Sequence, residues 1–119
     1  MNDKKFVLTE TTKEVYGITL YRIKAVKSFG NVEKDELGGW IEKESNLKQS
    51  GDAWVSGDAR VSGDAEVYGN ARVSGNARVS GNARVSGNAR VYGNARVSGD
   101  AWVSGNARVS GDAEVYGNA

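Results

Sequence analysis

The chain of 119 residues contains no cysteine, no proline and no histidine. Without cysteine there is no disulfide framework and no thiolate nucleophile, and without cysteine and histidine there is no Cys/His metal site. The absence of histidine also removes the side chain that most often serves as general base near neutral pH. Long apolar runs are missing as well. The run Phe6-Val7-Leu8, which follows Lys4 and Lys5, is too short for the apolar region of a signal peptide. No stretch approaches the roughly 18 apolar residues of a membrane span. These absences point to a soluble protein made in the cytoplasm, with no membrane partner. A formal net charge of +1 gives no overall bias toward nucleic acid or acidic lipid.

What is present is a repeat. From Gly51 the chain reads Gly–Asp/Asn–Ala–x–Val–Ser/Tyr, with Gly at every sixth position through Gly117, twelve times without a gap. Ala follows two residues after each Gly, and Val closes eleven of the units. In each unit Ala-x-Val reads as a short strand with Ala and Val facing inward and x outward. The Ser/Tyr–Gly–Asn/Asp triplet reads as a corner, where Gly adopts positive φ at little steric cost. Such a strand cannot bury its inner face alone, so successive coils must stack about 4.8 Å apart. The fold class expected is all-β, a parallel β-helix or solenoid spanning 51–119. A core of Ala and Val leaves no room for a cofactor.

The pattern resembles the hexapeptide-repeat proteins, a resemblance that implies a left-handed, three-sided coil. The spacing itself shows neither property. Tyr68, Tyr92 and Tyr116 recur every 24 residues, a period that would stack on a four-sided coil but falls on three different sides of a three-sided one.

Residues 1–50 carry eight lysines and no hexad. Val15–Val26 is rich in β-branched and aromatic residues, and a hairpin with Lys5–Glu10 around Thr11–Lys13 is expected. A further short strand is expected at Trp40–Ile41 after a Gly38-Gly39 turn. The segment reads as a cap that covers the open edge of the first coil. Tyr21-Arg22-Ile23-Lys24-Ala25, Asp35-Glu36-Leu37-Gly38-Gly39-Trp40-Ile41-Glu42, Asn46-Leu47 and Gly51-Asp52-Ala53-Trp54-Val55 are similar to the opening of YdcK-type β-solenoid proteins. That resemblance implies fold and context (many such proteins are encoded by phages and prophages) and brings no activity with it.

Hexapeptide solenoids include acyltransferases, which use a catalytic histidine that this chain lacks. Asp52, Asp58, Asp64, Asp100 and Asp112 alternate with Asn as turn formers. No catalytic residue, cofactor or metal is therefore expected. The outward column reads Trp54, Arg60, Glu66, Arg72, Arg78, Arg84, Arg90, Arg96, Trp102, Arg108, Glu114. Residues 69–98 carry five arginines and no acid, forming a basic belt between mildly acidic ends. Arg72, Arg78, Arg84, Arg90 and Arg96 are thus candidate partner-binding residues. The aromatics Trp54, Trp102, Tyr68, Tyr92 and Tyr116 are candidate anchors. Guanidinium groups suit carboxylates or phosphates, but a belt this small favours an acidic protein over nucleic acid. A chain that stops one residue into a strand leaves an open coil edge, which predicts a homo-oligomer. The functional expectation is a self-associating, protein-binding scaffold. The alternative is a small phage-encoded inhibitor of a host defence protein such as a CRISPR-type nuclease.

Overall fold

The computed structural model describes residues 5–15, 17–29, 32–48 and 51–115. From Trp54–Val55 to Glu114–Val115 each hexad contributes a two-residue strand. Each strand from Trp54–Val55 to Arg96–Val97 pairs in parallel with the strand eighteen residues on, as in Arg60↔Arg78↔Arg96. Three hexads therefore make one coil, and the eleven complete hexads and half-hexad from Gly51 amount to nearly four turns. The corners pair too. Arg78 N donates to Ala95 O, Ser80 N to Val97 O and Asn82 N to Gly99 O. The inner residues from Ala53 to Ala101 are at most 1% exposed. Each buried Val contributes roughly 2 kcal/mol of hydrophobic stabilisation.

The N-terminal segment forms three strands, β1 (Phe6–Val15), β2 (Ile18–Ala25) and β3 (Leu37–Ile41). β1 and β2 are an antiparallel hairpin in which Val15 faces Ile18. The reversal therefore falls between Val15 and Ile18, not at Thr11–Lys13. The β-branched Thr11 and Thr12 continue the strand past an irregularity between Leu8 and Thr12, and Gly17 takes φ +80° in the turn. Gly38 and Gly39 likewise lie within β3 rather than in a turn. Both are buried against the coil, where a Cβ on Gly38 would stand 2.6 Å from Ile23, Trp54 and Val55 atoms.

Stacking begins before the first hexad. β3 lies parallel on Arg60–Val61, with Trp40↔Arg60 and Ile41↔Val61. Leu47 bridges to Val67. Ile41 and Leu47 are fully buried, six residues apart like the valines that follow. The offset to the next coil is twenty residues at these two positions and eighteen from Trp54 onward.

Four further first-coil carbonyls are met by side chains. Asn46, fully buried, donates from Nδ2 to Gly63 O (3.1 Å) and Ala65 O (2.8 Å). Its Oδ1 accepts the Glu42 and Lys43 amides. Lys5 Nζ donates to Ala53 O (2.7 Å) and Gly51 O (3.2 Å). Lys5 and Asn46 thus replace the amides that a preceding coil would supply. Desolvation, partly offset by the Asp52 carboxylate, lowers the Lys5 pKa from 10.5 to about 8.

That shift carries a pH signature. Between about pH 8 and 10.5 the unfolded chain holds a Lys5 proton that the folded chain has lost, so stability rises with pH across this window. Urea midpoints should show wild type gaining on Lys5→Met from pH 7.5 to 10. A constant or shrinking difference would contradict the assignment.

Candidate partner-binding face

The eighteen-residue register sorts the outward column into three sides. The first carries Trp54, Arg72, Arg90 and Arg108. The second carries Arg60, Arg78, Arg96 and Glu114. The third carries Glu66, Arg84 and Trp102. The five arginines read as one belt are consequently divided, because consecutive hexads face different ways. Arg72 and Arg90 join Arg108, Arg78 and Arg96 join Arg60, and Arg84 stands between a glutamate and a tryptophan.

The second side is the most elaborated. Its three guanidiniums project from strands about 4.8 Å apart. No acid among the described residues forms an ion pair with them; Lys24–Asp35, Lys43–Asp64 and Lys48–Glu66 pair elsewhere. Arg60 Nε is buried without an acceptor. Above the ladder, Trp40 is buried, with Lys13 Nζ 4.2 Å and the Arg22 guanidinium 5.7 Å from its ring centre.

Two grooves flank this ladder. One, of about 350 Å³, is lined by Val15, Ile18 and Leu20 of the hairpin and Val79 of the coil, with Ser62, Ser80 and Ser98 beside them. The other, of about 530 Å³, is lined by Lys13, Asp58, Asn76, Asn94 and Asp112. Arg60, Arg78 and Arg96 line both. Along the polar groove the amides form a ladder, Asn76 Nδ2 to Asn94 Oδ1 at 3.3 Å and Asn94 Nδ2 to Asp112 Oδ1 at 3.2 Å.

The aromatics separate. Trp54 is 4% exposed, packed edge-on against Phe6 (6.5 Å) and Phe29 (5.4 Å). Its outward position is real, but the cap covers it, so it anchors the N-terminal segment and is withheld from a partner. Trp102 is 57% exposed, with the Arg84 guanidinium 5.1 Å from its ring centre. Tyr92 is exposed and shares a groove of about 330 Å³ with Arg72, Ser74, Arg90 and Arg108. Tyr68 is half-buried at the corner after the third side. The two tyrosines therefore do not stack. Tyr116 lies outside the described residues.

The corner aspartates of the first coil face the cap's lysines. Asp64 accepts from Lys43 Nζ at 2.7 Å. That hydrogen bond, with the attraction between the charges, raises the Lys43 pKa and lowers that of Asp64. Among the described residues no three His, Cys, Asp or Glu side chains stand close enough to hold a metal ion. No helix there is long and apolar enough to cross a membrane.

The model of the YdcK β-solenoid repeat matches four overlapping windows, residues 65–81, 77–91, 89–105 and 103–117. Over residues 65–117 the coil is similar to the YdcK β-solenoid repeat. The windows fall wholly within the hexads, so the YdcK likeness of the Leu37–Glu42 stretch rests on its sequence alone. No curated protein matches the chain. Sequence reading did not single out Arg60, Arg108 or Lys13. The first two follow once the eighteen-residue register is applied to the outward column, whereas Lys13 reaches the face only through the hairpin.

Proposed function

We propose that this protein is a non-catalytic scaffold that binds an acidic protein partner through the second side of its coil. One observation carries the reading. Arg60, Arg78 and Arg96 are stacked in register, and no acid among the described residues forms an ion pair with them. Like charges held this close repel, and a carboxylate-bearing partner relieves the repulsion while accepting paired N–H donors from each guanidinium. Asp58 and Asp112 in the same groove oppose a continuous phosphate backbone, which favours protein over nucleic acid. A host defence protein blocked in this way would make the chain an inhibitor.

Self-association is a second reading, favoured by Trp102, 57% exposed on the third side, since exposed aromatics anchor interfaces. Sedimentation of wild type and Trp102→Ser at micromolar concentration separates the two readings. A dimer lost on substitution supports contact between copies, and a monomer in both removes it.

The partner reading is tested by capture from lysate of the producing cells on the immobilised full chain. A protein retained by wild type and by Arg72→Glu/Arg90→Glu/Arg108→Glu, and lost with Arg60→Glu/Arg78→Glu/Arg96→Glu, is the expected result. Retention by both triple variants would place binding elsewhere.

A further inference from the structure

We infer that the second side receives an extended segment in which acidic and aliphatic residues alternate. This rests on the partner reading above and specifies what the partner presents. An extended chain turns successive side chains to opposite sides. Laid along the ladder, such a segment turns one set toward Lys13, Asn76 and Asn94, and the other toward Val15, Ile18 and Leu20. The first groove is cationic with amide donors, so it takes carboxylates. The second is walled by aliphatic side chains and arginine stems, so it takes Leu, Ile or Val.

The length of the segment is bounded as well. Asp58 heads the polar groove and Asp112 closes it, while Glu114 pairs in register below Arg96. These acids repel carboxylates at either end, leaving the rungs of Asn76 and Asn94 as the receiving positions. Alternate residues of an extended chain are about 6.7 Å apart and the rungs about 4.8 Å. The flexible arginine stems absorb that difference, so about two carboxylates are bound.

The test is fluorescence anisotropy on the full chain with a short labelled peptide of alternating Glu and Leu. Arg78→Gln should weaken binding about tenfold, the loss expected for one charge-assisted hydrogen-bonded pair. Ile18→Ser should weaken it about fivefold through lost apolar burial. Arg90→Gln, an equal charge change on the first side, should leave it unchanged. Should Ile18→Ser fail to fold, a peptide of alternating Glu and Gly probes the same groove and should bind about fivefold more weakly than its Leu counterpart.

Equal losses with Arg78→Gln and Arg90→Gln would overturn the inference in favour of diffuse attraction. Equal affinity for the Leu and Gly peptides would overturn the aliphatic anchor. Tighter binding of a single-stranded oligonucleotide would replace the peptide with nucleic acid. A protein that binds neither peptide yet still captures its partner through the ladder refutes this inference and leaves the partner reading standing.

Discussion

Asn46→Ala should destabilise the protein by about 4 kcal/mol, since it leaves several buried backbone groups without partners at once. The Asn46 amide uses its full capacity, two donors on Gly63 O and Ala65 O and one oxygen accepting from Glu42 and Lys43. Its fully buried position keeps water from replacing those bonds in a variant that holds the same backbone. Asn46→Asp is the sharper probe. It preserves the acceptor but sets an oxygen against two carbonyls, so it should be at least as damaging as Asn46→Ala despite its similar shape. Urea denaturation measures both. An Asn46→Asp protein within about 1 kcal/mol of wild type would mean that the first coil does not depend on this side chain for its donors.

Gly81→Ala should cost about 3 kcal/mol and Gly105→Ala only about 1 kcal/mol, although the two glycines share one backbone conformation. Their φ values are +68° and +65°, so the conformational penalty for an L side chain is common to both. The difference lies in what stands below. A Cβ on Gly81 would be 2.9 Å from Gly99 N and 3.2 Å from Gly99 O, whereas one on Gly105 meets nothing within 4 Å. Backbone held in a coil-to-coil ladder cannot retreat cheaply, so the Gly81 variant must open the stack locally. Thermal melts of the two variants side by side isolate the contribution of stacking from that of φ. Equal costs would show that the corner glycines are required for their dihedral alone.

The coil was legible in the sequence because one residue type does one job at each of its six positions. Gly turns, Ala and Val fill, and the fourth residue faces outward. The number of sides was less legible. Spacing six fixes the hexad but not how many hexads close a turn; the tyrosine period of 24 would suit four sides, whereas the resemblance to hexapeptide-repeat proteins implied the three that the strand register gives. Which arginines are neighbours depends on the same number. Arginines adjacent in the outward column are on different sides, and the three that stack on the second side are eighteen residues apart.

The cap was legible as a cap but not in its contacts. Ile41 and Leu47 stand six apart and continue the inner column, a signal obscured because Ile and Leu replace the usual Val, Trp40 and Asn46 the usual outward residue, and Gly39 and Ser45 the usual Ala. Trp54 shows the limit from the other direction. Its alternation correctly places it outward, and only the packing of Phe6 and Phe29 against it makes an outward residue a buried one. No periodicity in residues 1–50 carries that information, nor does any place Lys13 beside the ladder.

The claim most exposed to a direct check is that the arginine ladder holds charge the coil does not need. The measurement is the melting temperature of wild type and Arg78→Gln at low salt and at about 0.5 M salt. Arg78 lies between Arg60 and Arg96, so removing its charge should stabilise the unliganded protein by about 1 kcal/mol at low ionic strength. That gain should vanish once salt shortens the screening length to a few ångströms. An Arg78→Gln protein less stable than wild type at both salt concentrations would contradict the account, because the arginine would then be part of what holds the coil together.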